Sequence, residues 1–128
     1  MSDYTITNLE QCEDIAAGHG VGDAGVIHFP REAVEAERTG FAHLRLHPGK
    51  RHPFPHRHEQ AEEVYVVIAG SGCVRLDDEI VEVTELDAIR VSPEVTRAWE
   101  AGEDGLSVIV FGARHQGDGE IVSDFWAP

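Results

Sequence analysis

The sequence is poor in cysteine. Only Cys12 and Cys73 occur in 128 residues, and no Cys-x-x-Cys pair is present. A disulfide-stapled secreted scaffold or a cysteine-based zinc site needs more cysteines at closer spacing. We therefore expect both thiols to be reduced and structural.

Basic residues are also scarce. Lysine and arginine total 10 against 24 acidic residues, the net charge is −14, and Lys50 is the only lysine. A nucleic-acid-binding protein needs a basic footprint, and so does a protein that docks on an anionic membrane. The sequence argues against both partners. An acidic, lysine-poor surface suits a salt-rich cytoplasm, and a genome that favours arginine codons explains it equally well.

Long apolar runs and nucleotide motifs are missing as well. No stretch approaches the roughly 18 apolar residues of a membrane helix, and the N-terminal segment is acidic where a signal peptide is basic and then apolar. There is no phosphate-binding or dinucleotide glycine loop, and no Gly-x-Ser-x-Gly nucleophile motif. We expect a cytoplasmic protein without a nucleotide cofactor.

What is present is a series of short strand patterns, which we expect to form the core of one domain over residues 1–128. They occupy residues 26–111 and alternate with turn signals, without helical patterns between them. This arrangement predicts an all-β antiparallel sandwich or barrel. The strand patterns read GFAHLRL, EEVYVVIAGSG, CVRL, IVEV, DAIRV, VTRAWE and LSVIVFG.

The two ends of the chain have different patterns. Residues 8–17 predict one short helix, with Asn8 as its N-cap. Residues 112–128 form a tail whose apolar part, IVSDFW, we expect to pack on the body or on a second copy of the chain.

The candidate chemistry is concentrated around three residues, His56, His58 and Glu63. Residues two apart on a strand point to the same face, so the two imidazoles can converge on one ion. A short turn can bring Glu63 alongside on the next strand. Two histidines and one carboxylate with open positions suit non-haem Fe(II), and Zn, Mn or Ni can also bind them.

At this segment the chain resembles the cupin superfamily. That family's first motif runs Gly, a spacer, His-x-His, a short gap, Glu, six residues and Gly. Here Gly49 is followed after six residues by His56-Arg57-His58, then after four by Glu63, and after six more by Gly70. The resemblance implies a double-stranded β-helix, the jelly-roll barrel, and selects Glu63 over Glu62 as the ligand.

The second cupin motif departs from the family pattern. Asp87 and Pro93 match roughly, but Glu94 stands where glycine is usual and Arg97 where the fourth ligand, a histidine, is usual. Arginine has no acceptor and stays protonated, so it cannot ligate a metal. Two interpretations remain open. Either a metal is held by the other three residues while Arg97 clamps an anionic group of a substrate, or Arg97 pairs with Glu63 and no metal binds.

Two further hypotheses concern function and assembly. The resemblance implies a metal-dependent oxygenase or isomerase-type enzyme acting on a small polar or anionic molecule, or a binding cupin without turnover, and a homodimer in either case. The substrate-binding candidates are Arg97, Tyr65, Gln60 and His52, the last because it shares the strand parity of His56 and His58.

Overall fold

The computed structural model describes residues 3–126 and is built mainly of strands. Among these residues no helix is long and apolar enough to cross a membrane. A 3-10 turn covers Leu9–Gln11 and a single helix, α1, covers Ile15–Gly18. The eight strands are β1 (Gly25–His28), β2 (Thr39–Leu46), β3 (His56–His58), β4 (Glu63–Leu76), β5 (Glu79–Thr84), β6 (Ala88–Val91), β7 (Arg97–Ala113) and β8 (Gly119–Ile121).

All pairings between the strands are antiparallel, and they arrange the curled sheet in two layers. The first layer has the order β1-β2-β7-β4-β6, and the second has the order β8-β3-β7-β4-β5. Strands β4 and β7 belong to both layers because each is long enough to bend from one into the other. This is the jelly-roll barrel that the sequence predicts, and its all-β class is confirmed.

The bend in the long strands lies at glycines that the sequence predicts to end a strand. Strand β4 instead continues through Gly70 and Gly72, with register shifts against β7 between Val67 and Ala69 and between Gly70 and Gly72. Gly70 has φ 77°, and a Cβ atom there would collide with the carbonyl oxygen of Gly105, which itself has φ 80°. Only glycine allows this backbone conformation and this close approach at low cost. The two predicted segments VTRAWE and LSVIVFG are likewise one strand, β7.

The hydrophobic core lies between the two layers. Leu46, Val67 and Val108 of the first layer pack in one cluster with Val74 and Trp99 of the second. All are almost completely removed from solvent. Burying a side chain of this size contributes about 1.5–3 kcal/mol, so this cluster holds the layers together.

The N-terminal segment differs from the predicted single helix over residues 8–17, which is wrong in extent. Asn8 does act as a cap, accepting from the Glu10 backbone N–H, but the turn ends at Cys12 in extended backbone. Asp14 starts α1 by accepting from the Ala16 N–H, and the same oxygen also accepts from the Ile27 N–H of β1. The side chain of Asp14 thus breaks the helix and ties it to the sheet.

The C-terminal segment is more ordered than the predicted tail. Strand β8 pairs with β3, placing Gly119 opposite His58 and Ile121 opposite His56. Farther along, the Phe125 ring lies 4.6 Å from the Arg75 guanidinium carbon. Residues 112–126 therefore pack against the body of the same chain, with β8 forming one edge of the second layer.

Candidate metal centre

The two histidines of β3 project from the second layer into the barrel. Their ring centroids are 5.1 Å apart, as expected for side chains on one face of a strand. Strand β3 pairs with β7 and β8, and not with β4. Glu63, the first residue of β4, therefore reaches the histidines from the facing layer. The prediction that Glu63 lies on the strand next to the histidines is wrong, although the three side chains do meet.

The three side chains offer a compact set of ligand atoms. One atom from each of His56, His58 and Glu63 lies within 4.8 Å of the other two. Glu63 Oε1 is 3.1 Å from His58 Nε2 and 3.8 Å from His56 Nε2. The side chains are mostly buried, with the Glu63 carboxylate 18% exposed. Two imidazole nitrogens and a carboxylate oxygen at these separations form a possible site for a divalent metal.

The tautomer of each histidine is set by its other ring nitrogen. His56 Nδ1 lies 2.9 Å from the Phe54 carbonyl oxygen, and His58 Nδ1 lies 3.3 Å from Asp118 Oδ2. Both partners can only accept, so the Nδ1–H tautomer suits the two contacts and would present each Nε2 to the site. This is the arrangement of histidines that ligate metals.

Asp118 is a site residue that the sequence analysis missed. Its carboxylate accepts backbone N–H groups from Glu59, Gln60 and Ala61, at 2.9–3.2 Å. Burial would raise the pKa of Asp118, but the N–H groups of Ala61 and Gln60 outweigh it and hold the pKa below its usual range. Asp118 is therefore a carboxylate that fixes the turn between β3 and β4 and lies against His58.

Two donors hold the Glu63 carboxylate in place. The Tyr65 hydroxyl donates to Oε1 at 3.0 Å, and Arg97 Nη1 donates to the same oxygen at 3.1 Å. Burial would raise the pKa of Glu63, but its contacts with His56 and His58 outweigh burial and hold the pKa well below its usual range. Burial and the Glu63 charge raise the pKa of Tyr65 well above 10, so its hydroxyl stays a donor.

Arg97 lies behind Glu63 and has no exposed surface. Its Nη2 donates to the Ser92 carbonyl oxygen at 2.8 Å, and the Pro93 carbonyl oxygen lies 3.5 Å away. The interpretation in which Arg97 pairs with Glu63 matches this geometry. The guanidinium does not line the cavity beside the histidines, so it does not reach a ligand there as a clamp.

The other two substrate-binding candidates are placed differently from each other. His52 is buried, lines the cavity and packs edge-on against His56, with ring centroids 5.9 Å apart. Burial, and then the nearby His56, lowers the pKa of His52 to about 3, so its ring is neutral. Gln60 is exposed in the turn, where its backbone N–H binds Asp118, and it does not line the cavity.

A cavity of about 370 Å³ opens beside the histidines. Its wall includes Tyr65 and the histidines His52, His56 and His58. Apolar side chains from the N-terminal and C-terminal parts of the chain, among them Ile15 and Ile121, complete it. His43, which the sequence analysis does not single out, is buried and also lines it. The volume lies within the range of small-molecule sites.

The residues fit a metal ion by their donor chemistry. Both ring nitrogens of His58 are buried, and neither makes an aligned hydrogen bond within the part of the chain described. In the Nδ1–H tautomer, His58 Nε2 faces another acceptor, Glu63 Oε1, at 3.1 Å. Two buried acceptors this close repel each other unless a proton or a cation lies between them.

The comparisons with known proteins agree on the fold. No curated protein matches the chain. A cupin protein from Bacteroides fragilis matches with 21% identity over 91% of this chain and 89% of its own, at a TM-score of 0.70. A sugar phosphate isomerase of the cupin superfamily from Silicibacter pomeroyi matches with 16% identity over 92% and 82%, at 0.72.

A larger enzyme shares the fold over a shorter stretch. Salicylate 1,2-dioxygenase from Pseudaminobacter salicylatoxidans matches with 19% identity over 66% of this chain but only 25% of its own, at a TM-score of 0.54. At these identities the solved structures show the fold alone. The family model of the cupin domain matches residues 42–111, which is more than half of the sequence and contains His56, His58 and Glu63. The chain therefore belongs to the cupin family.

Proposed function

We propose that the protein holds one divalent metal ion on His56, His58 and Glu63 and binds a small molecule in the adjoining cavity. The observation that carries this proposal is the convergence of one ligand atom each from His56, His58 and Glu63 within 4.8 Å, with His58 Nε2 3.1 Å from Glu63 Oε1. Iron, zinc, manganese and nickel all suit two imidazoles and a carboxylate. Bound there, such an ion supplies Lewis-acid chemistry or, as iron, a place for dioxygen.

The protein's own residues have separable roles in this proposal. Asp118 and the Phe54 carbonyl keep both Nε2 lone pairs directed at the site. Tyr65 and Arg97 donate to Glu63 Oε1 and hold the carboxylate in its orientation. The cavity wall excludes water from one side, which strengthens electrostatic interactions inside. Metal-dependent oxygenase or isomerase-type activity is consistent with this arrangement, and the fold alone does not choose between them.

Metal analysis of the purified protein tests the proposal. We expect close to one divalent ion per chain in the wild type and a large loss in His56→Ala. His47→Ala, which removes an exposed histidine outside the site, serves as the matched control and should keep the metal. Equal metal content in wild type and His56→Ala, or none in either after growth and reconstitution with each of the four ions, would contradict the proposal.

A second function is favoured by one contact, the 3.1 Å hydrogen bond from Arg97 to Glu63. In this alternative, Arg97 supplies the positive charge that a metal would supply, and the cavity binds a small molecule without turnover. The metal-free protein would then bind the same ligands as the metal-treated protein. Ligand titrations before and after chelation separate the two functions.

The remaining proposals concern location and assembly. We propose that the protein is cytoplasmic, which its two free cysteines support, and that nucleic acid is not a partner, which the net charge of −14 supports. We also propose a homodimer, supported by exposed Ile80 and Val81 on β5, an edge strand of the second layer. Light scattering of the purified chain measures the oligomeric state, and a monomer mass would contradict the dimer.

A further inference from the structure

The cavity wall beside the histidines is unusually apolar for a site with metal-binding geometry. Ile27, Leu44 and Val110 contribute to the wall, and Phe29 and Ile121 stand at its rim with exposures of 59% and 65%. Apart from histidines and backbone, the polar groups lining it are the Tyr65 hydroxyl and the carboxylates of Glu63 and Glu120, among residues 3–126. Such a wall favours an apolar ligand body.

The charges around the cavity do not suit an anion. Within the described chain no lysine or arginine lines the cavity, and Glu120 is already paired with Arg57 at 3.0 Å. Arg97 is buried behind Glu63. Phosphate recognition ordinarily uses arginine, lysine or a set of backbone N–H groups. The carboxylates of Glu63 and Glu120 are negatively charged acceptors, so they cannot recognise a phosphate group.

One arginine, Arg114, lies on another side of the site. It lines a smaller cleft of about 180 Å³ that also reaches His58 and Glu63. The Arg114 side chain is exposed to solvent, where an ion pair is screened and weak. It therefore does not replace the missing cation of the main cavity.

We infer that the ligand is an uncharged, mainly apolar molecule, aromatic or alicyclic, with one hydroxyl or carbonyl oxygen directed at the histidines. This inference rests on the proposed small-molecule site and names its substrate class. A volume of about 370 Å³ equals that of about a dozen liquid waters, so a ligand of roughly ten to fifteen heavy atoms fits. This ligand class differs from the small polar or anionic molecule that the sequence predicts.

Matched probes test the charge preference directly. Fluorescence titration and calorimetry would compare 2-naphthol and 4-ethylphenol with 2-naphthyl phosphate and glucose 6-phosphate, on chelator-treated and on zinc-loaded protein. We expect the uncharged probes to bind the chelator-treated protein at least about tenfold more tightly than 2-naphthyl phosphate. Bound zinc adds positive charge beside the cavity, so the preference should be smaller in the zinc-loaded form. Binding of neither uncharged probe, or tighter binding of the phosphates to the chelator-treated protein, overturns the inference.

Two substitutions locate the binding. Ala42→Phe places a bulky side chain in the cavity wall, and Ala88→Phe makes the same change at an exposed position on β6. We expect the first to raise the dissociation constant of 2-naphthol about tenfold or more and the second to leave it within about twofold. Equal effects of the two variants would place the probe elsewhere and overturn the inference. Circular dichroism of both variants checks folding, and if Ala42→Phe does not fold, the smaller change Ala42→Leu at the same wall position replaces it.

The outcomes distinguish this inference from the metal proposal. Uncharged probes that bind a protein without metal capacity leave the ligand class standing and contradict the metal. A protein that takes up one metal ion but binds only the phosphates supports the metal proposal and contradicts the inferred ligand class.

Discussion

Arg97 donates a hydrogen bond to the same Glu63 oxygen that faces the two histidines of β3. The contact joins the start of β7 to the start of β4 and is closed off from solvent on the arginine side. An arginine in this place acts on the carboxylate, and through it on the histidines, without touching a ligand in the cavity. Its role is therefore measured best through stability and metal binding.

The first prediction concerns that pair. Arg97→Met removes the buried partner of Glu63 and should destabilise the metal-free protein by about 3–5 kcal/mol, because it leaves an uncompensated charge. Bound metal would compensate the same charge, so the loss should be smaller after zinc is added. Urea unfolding with chelator and with zinc measures both values. An equal loss under the two conditions would mean that Glu63 does not ligate the metal.

The second prediction concerns Asp118, which lies 3.3 Å from His58 Nδ1. Asp118→Asn keeps the size of the side chain but removes the charge that favours the Nδ1–H tautomer. We expect metal affinity to fall about 10–100-fold, as for other residues that orient metal-binding histidines. Competition with a chromophoric zinc chelator measures it. Asp104→Asn, a change at an exposed residue outside the site, should bind metal like the wild type.

The third prediction concerns the pH dependence of Asp14. Slight burial would raise its pKa, but backbone N–H groups, Ile27 first, outweigh it and lower the pKa below 3.8. A carboxylate with a lowered pKa in the folded state stabilises the fold above its unfolded pKa and loses that effect as the pH falls through the folded value. Asp14→Ala should therefore cost about 1 kcal/mol at pH 7, as expected for a lost N-cap.

The same difference should shrink once the pH falls below about 4, where the wild-type carboxylate begins to take up a proton. Urea unfolding of both proteins across pH 3–7 checks this, with buffers of constant ionic strength. A cost that stays constant down to pH 3 would show that the hydrogen bonds of Asp14 do not depend on its charge.

The fourth prediction concerns the bend of the long strands. Gly70→Ala combines a left-handed backbone with a collision against the Gly105 carbonyl oxygen, and should destabilise by at least about 2 kcal/mol. Gly49→Ala is the matched control, because Gly49 has φ 72° but nothing within 4 Å of an added Cβ. It should cost only about 1 kcal/mol. Equal losses would mean that the close approach of the two strands is not tight.

Local patterns in the sequence were sufficient for much of this molecule. The alternation of apolar residues predicts most of the residues in β2, β4, β5, β6 and β7 as strand, and Asp77 and Asp78 form the turn between β4 and β5. The spacing from His56 to Glu63 identifies three side chains that meet. These features depend on neighbours within a few residues, which is the range over which strand and turn preferences act.

The features that could not be predicted depend on contacts between distant segments. Asp118 follows a glycine in a loop, and nothing local distinguishes it from the other acidic residues of this chain. Its role arises because β8 pairs with β3, some 60 residues earlier in the sequence. Likewise, the placement of Glu63 in the facing layer follows from the pairing of β4 with β6 and β7, which no short pattern encodes.

The pairing of β8 with β3 has a consequence for the order in which the protein folds and acquires its site. His58 is flanked on one side by Asp118 and on the other by Glu63, and the cavity rim is completed by Ile121. A folding intermediate that has formed β4 and β7 but not yet docked residues 118–121 would have a half-built site. Contacts between segments this far apart in sequence form late in folding. We therefore expect metal binding to appear in the last kinetic phase of refolding, so that metal uptake reports completion of the barrel.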